Sequence, residues 1–204
     1  MQAKSTTFSK FMKEWGFFIL FMATLLLTRL FLWSPFLVSG HSMDPTLADG
    51  EYLLEVRYLP IDRFDIVVAK ETDENGNEKR IVKRVIGMPG DTIKYENDQL
   101  YINGKKTDEP YLKEYISKFK KDKLQSTYSY RKMFQQIAEQ ANSFTQDSLG
   151  NSTFTVEVPK GHYFLLGDDR LVSRDSREVG NFKASQIEGE AKLRFWPLNK
   201  IGIF

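Results

Sequence analysis

The chain has 204 residues, with 29 Lys and Arg against 27 Asp and Glu, and it contains no cysteine. This length gives room for one domain of ordinary size with a small appendage. The lack of cysteine excludes disulfides, cysteine-ligated metal sites and a thiol nucleophile, and two histidines leave little for metal binding. The formal net charge is only +2, so the chain lacks the excess of basic residues that binding to nucleic acid requires. We therefore expect no metal, no cofactor and no nucleic-acid partner.

The N-terminal region contains one long apolar stretch, residues 15–33, with the sequence WGFFILFMATLLLTRLFLW. As a helix it would be about 28 Å long, close to the hydrocarbon thickness of a bilayer. Tryptophans at both ends are typical of membrane interfaces, and Arg29 can extend its guanidinium to the headgroups. Lysines precede the stretch and none follows it immediately. This bias predicts residues 1–14 in the cytoplasm, residues 15–38 as a membrane anchor with a juxtamembrane segment, and residues 39–204 outside the cell membrane.

Two other interpretations of the apolar stretch compete with a retained anchor. A cleaved signal peptide would end at a small-residue site such as Val38-Ser39-Gly40. The stretch is longer than the apolar core of such a peptide, and Arg29 and Pro35 intervene before the site. A buried core helix would not need interface tryptophans or a flanking charge bias. The pattern favours a retained single span.

Beyond residue 38, alternating apolar and polar residues predict a mostly β domain. Strands are expected at residues 51–59, 65–71, 79–86, 92–95, 99–102, 153–158, 162–166 and 187–195. Asn75-Gly76 and Asn103-Gly104 are typical of hairpin turns. The predicted fold class is therefore an N-terminal transmembrane helix followed by an antiparallel β domain.

Residues 105–152 interrupt this pattern and are predicted to form a partly helical inserted cap. Two apolar groups recur at helical spacing there: Leu112, Tyr115, Ile116 and Phe119, and then Tyr130, Met133, Phe134 and Ile137. A lid, a partner surface and a tolerated insertion are all compatible with this composition. The sequence does not choose among them.

The first cluster that could carry chemistry is SGHSMDPTL, residues 39–47. Gly40 and Pro45 can hold Ser42 with its hydroxyl exposed, although a plain turn explains the same residues. His41 is not expected to act as the base for Ser42, because neighbours on an extended chain point to opposite sides.

The second cluster is KRIVKRVIGMPGD, residues 79–91. On a strand Lys83 shares one face with Ile81 and Val85, while Arg84 lies on the other, so one cation must lie among apolar groups. Burial lowers the pKa of a lysine, whereas arginine stays protonated. A neutral lysine near a serine hydroxyl is the Ser/Lys form of an activated nucleophile. A solvent-facing Lys83 on an edge strand is the alternative.

The third cluster is GDDRLVSRDSR, residues 167–177, which alternates acids and arginines after an apolar strand. A calcium loop would concentrate oxygen donors without so many cations. We therefore expect an ion-pair framework at this position.

Together these clusters resemble the bacterial type I signal peptidases of the branch with a single N-terminal anchor. The resemblance is carried by the anchor, SGHSMDPTL, RYLPIDRFDIVVAK, KRVIGMPGD and GDDRLVSRDSREVG, with Ser42 and Lys83 41 positions apart. It implies that Ser42 is the nucleophile and Lys83 the general base. The supporting residues that it implies are Ser173, which orients the lysine ammonium, and Asp168, Asp175 and Arg177, which hold the site together.

The resemblance also implies a function and partners. The implied enzyme is a membrane-anchored serine endopeptidase that removes signal peptides from exported preproteins after small residues at positions −1 and −3. Its partners would be the preprotein signal peptide, the lipid bilayer and a nearby secretion translocon. The side chains expected to form its shallow substrate pockets are Val38, Gly40, Met43, Leu47, Ile81 and Val82.

The chain departs from the family pattern at two places. Gly40 stands where some relatives have a serine that helps to bind the oxyanion, so the second oxyanion donor is not identified. Asp169, Leu171 and Val172 replace more polar residues.

Two alternatives to the peptidase stay open. A Ser/Lys autoprotease would need an N-terminal DNA-binding unit where the apolar stretch lies, and a non-catalytic anchored β domain would bind envelope proteins.

Overall fold

The structure, a computed structural model, describes residues 3–72 and 76–204. The described residues form four α-helices, which are α1 (Ala3–Phe31), α2 (Lys113–Asp122), α3 (Lys132–Gln140) and α4 (Ser176–Val179). Single 3-10 turns cover Pro110–Leu112, Ala184–Gln186 and Leu198–Lys200. Asn75 of the predicted Asn75-Gly76 turn lies outside the described residues, as do residues 1–2 of the predicted cytoplasmic segment.

Twelve strands occur in the same described ranges. They are β1 (Trp33–Leu37), β2 (Tyr52–Val56), β3 (Ile66–Thr72), β4 (Glu78–Gly87), β5 (Thr92–Glu96), β6 (Gln99–Ile102), β7 (Lys105–Thr107), β8 (Thr153–Glu157), β9 (His162–Leu166), β10 (Phe182–Lys183), β11 (Ile187–Trp196) and β12 (Gly202–Ile203). Each of the eight predicted strands is present. Every pairing between them is antiparallel, so the predicted fold class is confirmed.

The strands form two sheets. The larger has the order β1-β2-β11-β3-β4-β9-β10, with β12 paired to β11, and the smaller has the order β7-β6-β5-β8. Strand β3 is buried on both faces, which explains its continuous apolar run. Val68 packs beneath the loop between β1 and β2, whereas Val67 packs against Val85 and Leu165 on the opposite face. Apolar side chains of the smaller sheet pack against Phe164 and Leu166 of β9.

Within helix α1, the 23-residue segment Ser9–Phe31 is long and apolar enough to cross a membrane. This segment is not packed inside the protein. The helix ends two residues earlier than the predicted span. Trp33 begins the edge strand β1 and pairs with Val56, and its expected position at the membrane interface stays a prediction. The sheet therefore begins within residues 15–38, which the sequence analysis assigns to the anchor and its juxtamembrane segment.

The junction between α1 and the sheet is hydrogen-bonded. The backbone N–H of Arg57 donates to the carbonyl of Leu32 at 2.8 Å, and its guanidinium donates to the carbonyl of Leu30 at 3.1 Å. These bonds satisfy carbonyls that the end of a helix leaves without partners. Helix α1 and the sheet are therefore joined directly.

The helices α2 and α3 confirm that residues 105–152 are partly helical. The segment also contributes β7 to the smaller sheet, which the sequence analysis did not predict. Its helices and loops enclose an apolar core of their own, comprising Leu112, Tyr115, Phe119, Leu124, Tyr128, Phe134, Ala138, Ala141 and Phe144.

Candidate active site

The candidate nucleophile lies on a loop between β1 and β2 that is fixed at several points. The N–H of Val38 donates to the carbonyl of Glu51, and the N–H of Gly50 donates back to Val38. Met43 and Leu47 are buried in the core beneath the loop. Ser42 is only partly buried. The loop therefore holds the serine at the surface of a packed core, which a plain surface turn would not do.

Lys83 lies in the middle of β4 and pairs with Val67 of β3. Its side chain is 4% exposed and lies on the face where Val67, Ala69 and Val85 pack. Burial lowers the pKa of Lys83 to about 8, and the carboxylate of Asp175 opposes the shift. The predicted burial of one cation of this strand is confirmed for Lys83, and a fraction of its amine is neutral near neutral pH.

Ser42 and Lys83 line one cleft of about 450 Å³. Its walls come from the end of β1 and the loop after it, from the first half of β4, and from Glu71 and Arg174. No hydrogen bond joins the Ser42 hydroxyl to the Lys83 amine, although both residues line the same cleft. The fold thus brings together the two side chains that the sequence separates by 41 positions.

Four of the six residues expected to form substrate pockets line this cleft, namely Val38, Met43, Ile81 and Val82. The other two do not. Leu47 is completely buried in the core below, because it faces Leu53 and Ile66 rather than the cleft. Gly40 has a φ of +90° and donates its N–H to the carboxylate of Asp49 at 2.7 Å, so its role is to shape the loop.

The structure buries Arg84 as well as Lys83. The guanidinium of Arg84 donates to both carboxylate oxygens of Asp168, at 2.9 and 2.6 Å, and stacks over the ring of Tyr111 at 4.0 Å. Asp168 also accepts a hydrogen bond from the hydroxyl of Thr46. This network ties the serine loop, β4 and the segment after β9 together, and it is the ion-pair framework expected for Asp168.

Asp175 and Arg177 form a second buried pair behind Lys83. Two guanidinium nitrogens of Arg177 donate to the two oxygens of Asp175, each at 2.8 Å. Asp175 also accepts from the N–H of Gly167 at 3.0 Å and caps the start of α4. The charge of Arg177 keeps the pKa of Asp175 below its usual value, so the carboxylate stays ionised beside Lys83.

Ser173 is buried, but its hydroxyl makes no hydrogen bond to any described residue. The resemblance implied that this hydroxyl orients the lysine ammonium, and the structure contains no such bond. Ser173 instead packs against Gly167, where a Cβ would overlap the Ser173 hydroxyl and the carbonyl oxygen of Ser42. The hydroxyl of Ser173 is therefore held close to Gly167 and the serine loop, without a hydrogen-bond partner among the described residues.

His41 faces away from the hydroxyl of its neighbour Ser42. Its Nδ1 lies 3.0 Å from a carboxylate oxygen of Asp44, and its ring packs against Tyr130 and Phe134 of the inserted segment. This placement agrees with the expectation that His41 is not the base for Ser42.

Sequence reasoning missed Gly167 and Glu71. Gly167 directly follows an apolar strand, and a glycine at such a point is a signal for close backbone approach. Glu71 carries no such signal, because only the register of β3 against β4 places it opposite Lys79 at the cleft wall. It is 4% exposed, and it forms ion pairs with Lys79 at 3.5 Å and Arg174 at 3.6 Å.

Comparison with known proteins identifies the family. Residues 12–196 match the family model described as signal peptidase, peptidase S26. The chain belongs to the signal peptidase family. The Signal peptidase I of Streptococcus pneumoniae (strain ATCC BAA-255 / R6) is 62% identical, covering 97% of this chain and 98% of that protein. The Signal peptidase I S of Bacillus subtilis (strain 168) is 38% identical, covering 98% of each.

A solved structure from the family was also found. The crystal structure of a signal peptidase I from Enterococcus faecalis V583 is 31% identical and covers 66% of this chain and 98% of that one, with a TM-score of 0.46. Membership of the peptidase S26 family makes this chain a serine peptidase, which confirms the resemblance found in the sequence.

Proposed function

We propose that this chain removes signal peptides from exported preproteins, with Ser42 as nucleophile and Lys83 as general base. The observation that carries the mechanism is the shared cleft, in which a buried lysine faces the same space as a serine held on a rigid loop. The high identity to curated Signal peptidase I proteins supports the reaction itself.

The chemistry follows from a neutral amine at Lys83. The amine takes the proton of the Ser42 hydroxyl as the serine oxygen attacks the scissile carbonyl carbon. The C–N bond then breaks, and the lysine ammonium returns the proton to the leaving amine. Lys83 next takes a proton from water as the water oxygen attacks the carbonyl carbon of the acyl-enzyme. The ester bond to Ser42 breaks, the lysine ammonium returns the proton to the serine oxygen, and the signal peptide leaves with a free carboxylate. Asp175 stabilises the ammonium that forms between these steps.

The shape of the cleft supports an extended substrate. Strand β1 pairs only with β2, and residues 78–83 of β4 pair only with β3 among the described strands. Two unpaired strand edges therefore border the cleft, and an extended peptide can hydrogen-bond to either of them. Apolar side chains of Val38, Ile81 and Val82 leave shallow pockets that exclude large groups at positions −1 and −3 by overlap.

The N-terminal helix supports action at a membrane. Lysines before the apolar segment and the lack of any immediately after it support an orientation with the N-terminus in the cytoplasm and the β domain on the outer side. There the cleft meets preproteins as they leave the translocon, with the signal peptide still in the lipid bilayer.

The test is cleavage of a preprotein in lipid vesicles by the full chain, with mass mapping of the new N-terminus. The wild type is expected to cut after small residues at positions −1 and −3, and Ser42→Ala and Lys83→Ala are expected to leave the preprotein intact. Ser148→Ala and Lys160→Ala are the matched controls, because both residues are exposed and neither lines the cleft, and both variants should retain cleavage. Cleavage at the wild-type rate by Ser42→Ala would refute the proposal.

A further inference from the structure

The inserted segment 105–152 packs directly on the segment that follows β9. Leu171 and Val172 lie against its apolar core. These contacts dock the insertion onto the residues between Asp168 and Asp175.

A buried hydrogen-bonded path runs from the insertion to the candidate nucleophile. The hydroxyl of Tyr128 donates to a carboxylate oxygen of Asp169 at 2.6 Å, and both residues are fully buried. The backbone N–H of Asp169 donates to the carbonyl of Ser42 at 3.1 Å. Asp169 therefore links a side chain of the insertion to the main chain of the serine itself.

A second contact holds the residue before the nucleophile. The ring of His41 lies 5.1 Å from the ring of Tyr130 and 5.8 Å from that of Phe134, while its Nδ1 contacts Asp44. The insertion thus touches the serine loop on one side of Ser42 through His41 and reaches Ser42 itself through Asp169. A merely tolerated insertion would not need both contacts.

We infer that the insertion positions the nucleophile, with Tyr128 and Asp169 as positioning residues that hold the main chain of Ser42. This inference rests on the proposed function, because it assigns the insertion a task in the same reaction. It does not make either residue catalytic, since neither lines the cleft.

The environment of Asp169 shows why the Tyr128 hydroxyl matters. The other carboxylate oxygen of Asp169 has no hydrogen-bond partner among the described residues. Burial raises the pKa of Asp169 to about 7, and the nearby charge of Asp44 acts in the same direction. The other titratable groups near Asp169 are Tyr115, Tyr128 and Tyr130, and His41 contacts the neighbouring Asp44. The Tyr128 hydroxyl is thus the one side-chain donor that the carboxylate has in the described part of the chain.

The experiment measures kcat and KM of the full chain in detergent micelles on a peptide that spans a signal-peptide cleavage site. Tyr128→Phe removes one hydroxyl and keeps the ring, so we expect kcat to fall about tenfold with little change in KM. Asp169→Asn keeps an acceptor for Tyr128 and the backbone N–H, and should stay within about threefold of wild-type kcat. Tyr115→Phe is the matched control, because it removes a hydroxyl from the same core and should leave kcat unchanged.

The combined variant Tyr128→Phe with Asp169→Asn separates positioning from folding. In Tyr128→Phe alone, the buried carboxylate of Asp169 has no side-chain donor. The added Asp169→Asn change removes that charge, so the melting temperature of the combined variant should recover while its kcat stays low. Wild-type kcat in Tyr128→Phe or in the combined variant would overturn the inference, as would an equal loss in Tyr115→Phe. In each of these cases the proposed function would still hold if the wild type cleaves the peptide and Ser42→Ala does not.

Discussion

Gly167 lies directly against the main chain of Ser42, so closely that no side chain fits between them. A Cβ at position 167 would overlap the carbonyl oxygen of Ser42 and the hydroxyl of Ser173. The N–H of Gly167 is also held by the carboxylate of Asp175 at 3.0 Å. The backbone at Gly167 cannot shift to make room without breaking that bond.

Gly167→Ala should therefore displace the serine loop and lower both activity and stability. We expect a loss of cleavage of at least about tenfold and a lower melting temperature, because overpacking a buried contact costs about 1–3 kcal/mol. Gly202→Ala is the control, since the nearest atom to a Cβ there is 3.8 Å away. Equal rates of cleavage by the two variants would contradict this account of Gly167.

The pH dependence of cleavage should report the ionisation of Lys83. Its pKa is lowered to about 8, so the neutral amine becomes more populated as the pH rises through that value. We expect kcat/KM to rise between about pH 6 and pH 9 and then to level off. Lys83→Arg should be inactive at every pH, because a guanidinium does not accept the proton. A profile that falls across this range while the fold stays intact would exclude lysine as the base.

The burial of Lys83 also lowers the free energy of unfolding when its amine is protonated. Its lowered pKa means that the protonated form destabilises the folded state, so stability rises as the pH increases from about 8 towards the ordinary lysine value of 10.5. The shift corresponds to roughly 3 kcal/mol below pH 8, at about 1.36 kcal/mol per pKa unit. Lys83→Met should therefore raise the melting temperature at pH 6 and abolish cleavage. Thermal unfolding at pH 6 and pH 10 checks this, and a gain of the same size at both values would contradict it.

The Arg84–Asp168 pair should contribute to folding rather than to the chemical step. Asp168→Ala leaves the buried guanidinium of Arg84 without its carboxylate, and we expect the free energy of unfolding to fall by about 3–5 kcal/mol. Lys94→Ala breaks an exposed pair with Glu96 and should cost less than about 1 kcal/mol. Chemical denaturation of both variants gives the comparison, and similar losses would show that the burial of the Arg84–Asp168 pair has no special effect.

The sequence predicted the β domain well because the alternation of apolar residues is local information. All eight expected strands are present, with ends that differ by a few residues. Strand β1 was missed because its apolar residues continue the composition of the apolar helix α1. Pro35 was compatible with a strand only because β1 lies at the edge of the sheet, where a missing N–H is tolerated.

The site was less predictable, because it depends on contacts between distant segments. A buried lysine could be expected from the pattern of β4, and its pairing with Ser42 came from the family resemblance. Glu71 at the cleft wall and Leu171 against the insertion follow from strand register and packing that no local pattern reveals. Arg84 is buried in addition to Lys83 because Asp168, 84 positions away, neutralises it.

The short connection between α1 and β1 limits which peptide bonds of a substrate can reach the cleft. Only Leu32 separates α1 from the edge strand, and Arg57 bonds to the helix end, so no flexible tether intervenes. In the proposed function, with α1 across the bilayer, Ser42 then stands at a fixed height above the lipid surface. A preprotein held in the same bilayer by its own apolar segment would offer only bonds at that height. Cleavage sites are thus selected by the length of chain between the membrane and the scissile bond, in addition to the fit of small side chains.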